Sequence, residues 1–392
     1  MATVSNKAVW RSGGKAVSAG GEQRCIAGSA PSLGALPPYR LTGLPPCLRA
    51  LPPYRHLLTL ALLTAASCGD GRTPLVIYSP HGRDLLMLAE RTFEAANPDV
   101  DVRWLDMGSQ DALDRVRSER SNPQADVWFG GPSVLFQRAA EDSLLSPYRP
   151  TWAEHLEERS RGPADLYFAA YETPAVIAYN SDALSHDEAP QDWDVVLEPR
   201  WRDQVVIRDP LASGTMRAIF GMVVLRGVRA TGDTAAGFAW LRRLDAQTRE
   251  YVLNPALLHQ KLVRREGLVS LWDLPDILVE RAKGQPFGFV LPASGTPVIE
   301  DAVALVRGAR HADAARRFIE WVGSVDAQLL AARQAFRLPA RQDLPADSLP
   351  VWVRNVRADL VVEPMDWTLL SQRGDEWMGI WDRTVRGRGA AR

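Results

Sequence analysis

The residues Arg208-Asp209-Pro210-Leu211-Ala212-Ser213-Gly214-Thr215-Met216-Arg217 join a strand pattern to a helix pattern. The first turn of a helix presents unpaired N–H groups and the positive end of the helix dipole, so such a junction suits an anion. Ser213, Gly214 and Thr215 would add two hydroxyls and close backbone approach, and Arg208 or Arg217 would add charge. A plain helix cap by Ser213 or Thr215 accounts for the same residues. The motif alone leaves both readings open.

Three other turns have a similar make-up: Tyr78-Ser79-Pro80-His81-Gly82, Gly130-Gly131-Pro132-Ser133 and Ser294-Gly295-Thr296-Pro297. Each is expected at the carboxyl end of a strand, where open α/β sheets bind their ligands. Ser79, His81, Gly131, Ser133, Ser213, Gly214, Thr215, Ser294 and Thr296 are therefore candidate ligand-binding residues. Trp272-Asp273-Leu274-Pro275-Asp276, after a fifth strand, offers an aromatic wall in Trp272 and a carboxylate in Asp276 for a cationic substituent or a hydroxyl. A core tryptophan and an aspartate cap explain them equally. His81 can ligate a metal, bond an anion or be an ordinary loop residue.

His155, His186, His259 and His311 stand apart in the sequence, and neither His-Glu-x-x-His nor Gly-x-Ser-x-Gly occurs. No nucleophile, base and orienting group can be named as a set, so no catalytic residue, metal site or cofactor is expected.

The elements that must position these turns are legible as periodicities. Leu75 to Ser79 reads as a buried strand, and Leu85, Leu86, Leu88, Ala89, Phe93 and Ala96 fall at helical spacing before Asn97-Pro98. Val100, Val102 and Trp104 alternate as a strand, Ser109 is placed to cap a helix carrying Ala112, Leu113 and Val116, and Ala125 to Phe129 is a third strand. This alternation predicts an α/β lobe with a mostly parallel sheet. The extended segment Tyr167 to Asn180 is a candidate crossover to a second lobe. That lobe is expected to hold a strand at 204–207, helices near 213–228, 233–246 and 255–265, a strand at 267–272, a helix opened by Asp273 and Pro275, and a strand at 286–291. A strand at 298–306 and an amphipathic helix at 313–322 return the chain to the first lobe. The expected division is 75–172 with 292–345 as one lobe, 173–291 as the other, and 346–392 as a C-terminal extension with an Arg-rich end.

The 392 residues, 46% hydrophobic and 24% charged, are enough for two packed lobes and unlike a disordered or multi-span chain. The net charge of −1 hides an asymmetry: residues 1–67 carry seven Lys or Arg and one acid, leaving the rest at −7. With 13 scattered tryptophans and no basic surface, no nucleic-acid partner is expected. Cys25, Cys47 and Cys68 all lie in the first sixth, so the body has neither a disulfide framework nor a thiolate site.

A short apolar run, Leu57 to Ala66, follows Arg49, Arg55 and His56 and precedes Ser67-Cys68. It has the order of a signal peptide and is too short to span a bilayer. The small residues before Cys68 resemble a bacterial lipobox, which implies a lipid-bearing Cys68 as mature N-terminus, a leader at 1–67 and a tether at 68–74.

Taken with that leader, the segments Val76-Ile77-Tyr78-Ser79, Ala125-Asp126-Val127-Trp128-Phe129-Gly130-Gly131, Val176-Ile177-Ala178-Tyr179-Asn180, Asp209-Pro210-Leu211-Ala212-Ser213-Gly214-Thr215 and Pro292-Ala293-Ser294-Gly295-Thr296-Pro297 resemble the solute-binding proteins of bacterial ABC importers, in the branch for ferric iron, thiamine, phosphonates and sugar phosphates. The resemblance implies a two-lobed, monomeric trap in the periplasm or on the extracytoplasmic membrane face. The trap closes by hinge motion near 173–179 and 286–292 and hands a small solute to a permease and its ATPase. Ferric-binding members typically use two adjacent tyrosines, and no Tyr-Tyr pair exists here. The favoured solute is a small organic anion such as a phosphonate or phosphate ester. The alternatives are ferric iron, thiamine, which Trp272 and Asp276 would suit, a ligand-sensing module, and an exported anion-handling enzyme with His81 as base.

Overall fold

A computed structural model describes residues 71–387; Cys68, the leader and the final Arg-rich residues lie outside them. The chain begins with β1 (Thr73–Ser79), α1 (Gly82–Ala96), β2 (Val100–Asp106), α2 (Ser109–Ser118), β3 (Val127–Pro132), α3 (Ser133–Glu141) and the short β4 (Leu145–Ser146). Then comes β5 (Phe168–Asn180), a single strand of 13 residues. It leads to β6 (Val205–Arg208), α4 (Gly214–Thr231), α5 (Ala235–Gln247), β7 (Thr248–Val252), α6 (Pro255–Val263), β8 (Val269–Asp273), α7 (Leu274–Ala282) and β9 (Phe287–Val290). The return is made by β10 (Val298–Val306), α8 (Ala312–Val322), α9 (Val325–Gln334) and β11 (Leu338–Pro339), followed by α10 (Val351–Asp359) and α11 (Trp367–Thr384).

Two sheets share β5. Its first half pairs antiparallel with β10 through Pro174 opposite Val298, and its second half pairs antiparallel with β8 and β9 from Ala175 onward. The first lobe orders its strands β2-β1-β3-β10-β5 and the second builds outward from β5 through β8 and β6 to β7. Within each lobe the outer strands are parallel, β2-β1-β3 in one and β7-β6-β8 in the other. In the first lobe β10 and the two-residue β11 run against them and in the second β5 does, which makes both sheets mixed. A strand that leaves a lobe and another that returns to it cannot both follow the parallel direction.

Burial follows the periodicities. Leu85, Leu86, Leu88, Ala89 and Phe93 of α1 pack with Ile77, Phe129 and Phe318 on one face of the first sheet, while Trp128, Phe136 and Ala302 fill the other. The second lobe packs around Ile177, Val206, Phe220 and Leu271. The C-terminal residues join these cores: Val353 of α10 packs with Leu329 and Leu338 of the first lobe, and Trp381 of α11 lies edge-on to Phe220 and Tyr251 of the second. Gly108 is the N-cap of α2 and makes no side-chain cap, so Ser109 is the first helical residue and not the cap expected from sequence. Among the described residues no helix is long and apolar enough to cross a membrane.

Helix α4 is held by a glycine contact with α5. A Cβ on Gly237 would lie 2.6 Å from the Cα of Val224, and one on Gly227 would lie 2.6 Å from the Gly237 nitrogen. Alanine at Gly237 gains about 1 kcal/mol of helix propensity but must push two backbones apart, at about 1–3 kcal/mol. Gly237→Ala is expected to lower the urea midpoint with an unchanged slope; an equal or higher midpoint would show that the helices separate freely.

Candidate functional site

The loops that follow the parallel strands converge on one interlobe cleft of about 580 Å3. From the first lobe come Pro80 to Gly82 after β1, Met107 to Ser109 after β2, and Gly131-Pro132 at the end of β3; from the second come Ala212 to Thr215 after β6, Leu253 to Ala256 after β7, and Asp273 with Asp276 after β8. The crossover strands β5 and β10 form its floor: Thr173, Ile299 and Asp301 line the cleft, while Glu300, between the last two, lines a groove on the opposite face. Five helices (α1, α2, α4, α6 and α7) begin at this cleft. Their unpaired amides and dipoles give it a positive backbone field.

Arg208, at the end of β6, is 6% exposed and lines the cleft. Its guanidinium lies 5.4 Å from the centre of the Trp272 ring, its Nε has no hydrogen-bond partner, and no described carboxylate pairs with it. Burial lowers its pKa against the opposing pull of Asp276, Asp273 and Asp209, yet a guanidinium stays charged in a protein. Arg217, the other sequence candidate, faces away and binds Asp375 at 2.6 Å.

Ser213 caps α4, its Oγ accepting the Met216 N–H at 3.2 Å. The cap uses only an acceptor lone pair, so the hydroxyl proton is still available to the cleft. Asp273 caps α7 in the same way, accepting the Asp276 N–H at 3.1 Å, and Asp276 accepts the Trp272 Nε1–H at 3.1 Å. Burial, reinforced by the neighbouring Asp276, pushes the Asp273 carboxyl well above its ordinary range; burial likewise raises Asp106 and Asp301.

His81 lines the cleft but its ring is packed inward. Phe129 and Tyr171 lie edge-on at 4.6 and 5.7 Å, and the Nε2 occupies the space that a Cβ on Gly130 would need, 2.3 Å away. Gly130, at φ +96°, is the residue that permits this approach. Gly131 also lines the cleft, with its N–H donated to Asp301 at 3.1 Å. The cleft thus brings together His81, Gly131, Ser213, Gly214, Thr215, Trp272 and Asp276.

Four expected residues stand outside it. Ser79 is buried beneath the β1 turn and accepts the His81 N–H; Ser133 lines the groove behind the crossover strands. Ser294 donates to Asp192 at 2.5 Å, and Thr296 donates to the Ala175 carbonyl at 2.6 Å, so both fasten the crossover. Sequence reasoning also missed Asp301 and Thr173 on the crossover strands, His259 on α6, and Arg337, which line the cleft too. His259 is accountable to the strand-end rule, since it lies one turn into the helix after β7; the others are placed by tertiary structure alone.

Burial pushes the His81 imidazole well below its ordinary pKa, with the Arg337 charge adding to the effect, and burial lowers His259 too. Unfolded imidazoles take up protons below about pH 6.5, whereas these two take them up less readily when folded. The unfolded state then binds more protons, so this contribution to stability falls as the pH drops from about 7 toward 5. The raised carboxyls of Asp273 and Asp301 act with the opposite sign, so the histidine part is read by difference. His81→Phe, which keeps a ring between Phe129 and Tyr171, is expected to flatten part of that fall, and the His81 imidazole is expected to be neutral by NMR at pH 6. An imidazolium signal from His81 at pH 6 would contradict the burial account.

Comparison with known proteins places this architecture. The family of bacterial extracellular solute-binding proteins matches residues 122–355. The ABC transporter periplasmic-binding protein y4fP of Sinorhizobium fredii is 27% identical over 339 residues, covering 84% of this chain and 91% of that protein. A Salmonella typhimurium protein named for periplasmic binding of 2-aminoethylphosphonate is 26% identical over 256 residues, covering 63% of this chain and 72% of its own length. The fold is also that of the periplasmic binding protein AfuA from Actinobacillus pleuropneumoniae, solved with fructose 6-phosphate, with a TM-score of 0.69 at 23% identity over 81% of this chain and all of that one. Binding proteins of this family deliver small solutes to ABC permeases. With two lobes, a strand-end cleft between them and a family match over more than half its length, the chain belongs to the bacterial extracellular solute-binding proteins, the periplasmic substrate-binding components of ABC importers.

Proposed function

We propose that this protein captures a small organic anion, a phosphonate or phosphate ester, by closure of its two lobes and delivers it to a permease and its ATPase without performing chemistry on it. The observation that carries this reading is Arg208, a buried guanidinium with no carboxylate partner beside the first turn of α4. A buried charge without compensation is costly, and an anion held by Arg208, the amides of Gly214 and Thr215 and their hydroxyl neighbours supplies the compensation. Asp276 and the other cleft carboxylates suit an ammonium or hydroxyl at the ligand's far end. That end would resemble the compound for which the Salmonella relative is named. The lobes divide near 172/173, just before β5 changes sheets, and near 291/292, between β9 and β10, and Cys68 carries a lipid that holds the protein at the extracytoplasmic membrane face.

Ferric iron is the alternative cargo. Iron would have to be held by carboxylates such as Asp106, Asp273, Asp276 and Asp301, and a trivalent cation would be repelled by Arg208 and Arg337. Among the described residues no three His, Cys, Asp or Glu side chains meet at metal-ligand spacing.

The described residues form one compact unit, and residues 69–392 can be screened by thermal shift against phosphonates, phosphate esters, polyols, thiamine and chelated ferric iron. A binder present at 100 times its Kd stabilises by about 2.7 kcal/mol. A shift with phosphonates or phosphate esters is expected. Arg208→Met keeps the stem against Trp272 and removes the charge, and it is expected to weaken binding by about 1.5–3 kcal/mol; Thr215→Ala is expected to cost about 1 kcal/mol. A shift with iron alone, or an Arg208→Met protein that binds as before, would overturn the reading.

A further inference from the structure

Arg337 reaches the cleft from the opposite lobe to Arg208. It follows α9 and precedes β11, which pairs with Tyr171 and Glu172 of β5 in the first lobe. The chain takes a left-handed turn at Phe336, φ +51°, immediately before it. A bulky residue adopts that conformation at a cost, and the result is a guanidinium carried inward beneath the His81 loop. Arg337 is 6% exposed; its Nη2 donates to the His81 carbonyl at 3.0 Å, and its Nε, like that of Arg208, has no partner.

Both guanidiniums address the same carboxylate. Asp276 Oδ1 is 3.9 Å from Arg337 Nη2, and Asp276 is the strongest of the charges acting on Arg208. Asp276, partly committed to Trp272, is the carboxylate the two cations share; Asp273 faces both and Asp301 faces Arg337, but burial favours their uncharged forms, and Asp209 beside Arg208 is paired with Arg386. A guest that brings two negative charges on one tetrahedral group answers both.

We propose that Arg208 and Arg337 form a two-lobe clamp that selects doubly ionised phosphonate or phosphate monoester groups over singly charged sulfonates of the same shape. The proposal rests on the anion-binding reading of the cleft. Arginine is suited to this role because its planar donors match phosphoryl oxygens and its charge persists when buried. A sulfonate offers the same three oxygens and tetrahedral geometry, so discrimination between the two rests on the second charge. Because one guanidinium comes from each lobe, the same second charge also ties the lobes together around the guest.

The test compares isosteric pairs by titration calorimetry on the full chain: 2-aminoethylphosphonate against 2-aminoethanesulfonate, and glycerol 3-phosphate against glycerol 3-sulfate. Preference for the phosphorus member of at least one pair by tenfold or more at pH 8 is expected. That ratio is expected to shrink as the pH falls through the ligand's second ionisation, about pH 6 for phosphate monoesters. The sulfur member does not ionise in this range. It reports any titration of His81, His259, Asp111, Asp273, Asp276 or Asp301 around the two arginines, and the ratio removes it. Arg337→Gln is expected to bring the ratio near one, and Arg337→Lys to restore part of it. A merely structural Arg337 would lower both affinities together and keep the ratio. Equal binding of the phosphorus and sulfur members, or a ratio that survives Arg337→Gln, would overturn the clamp while leaving the anion reading in place. Binding of none of the four compounds would overturn both. Should Arg337→Gln fail to fold, the ratio and its pH dependence in the unaltered protein decide the matter.

Discussion

The structure depends on one strand being shared by two sheets. Backbone hydrogen bonds of β5 hold the first lobe up to Pro174 and the second from Ala175 onward, so the relation between the lobes is set within a single peptide unit. The return crossing is fastened to the same place: Thr296 bonds the Ala175 carbonyl, the Ala175 N–H bonds the Pro297 carbonyl, and Trp193 donates to Gly295 at 2.8 Å. With both lobes anchored there, the carboxyl ends of β1, β2 and β3 face those of β6, β7 and β8 across one cleft. The helix N-termini that follow them supply its positive field as a consequence of topology.

Charge pairs then span the lobes around this anchor. Asp84 of α1 meets Lys283 beyond α7 at 2.7 Å, Asp276 approaches Arg337 at the cleft, and Asp375 of α11 bonds both Arg138 of α3 and Arg217 of α4 on the far side. The exposed pairs contribute at most about 1 kcal/mol each. The buried cations behave differently. Removal of Arg208 from water costs several kcal/mol unless an anion answers it, and the described protein offers it an aromatic face but no hydrogen-bonded carboxylate. The cleft carries its unmet electrostatic demand where a ligand can satisfy it.

Most of the fold was legible because burial imposes period: the α1 face, the strand alternations and the crossover at β5 could be read directly. The junction from Arg208 to Thr215 and the Trp272–Asp276 segment were found because strand-to-helix turns have a recognisable composition. Composition does not say which way a small polar residue points: Ser79 and Thr296 bond the backbone and Ser294 bonds the Asp192 carboxylate, and none of the three lines the cleft. Arg337 was illegible for a different reason. It sits in no strand-end turn, and only the return of the chain to the first lobe and a left-handed step at Phe336 bring it beneath His81. The choice between Arg208 and Arg217 needed the helix orientation, since both flank the same loop.

The most direct measurement is a crystal structure of the protein grown with 2-aminoethylphosphonate. The account predicts phosphonate oxygens within hydrogen-bond distance of the Arg208 guanidinium and of the first amides of α4, with the ammonium toward Asp276. A phosphonate bound away from Arg208, or a cleft filled by a ferric ion on its carboxylates, would contradict it.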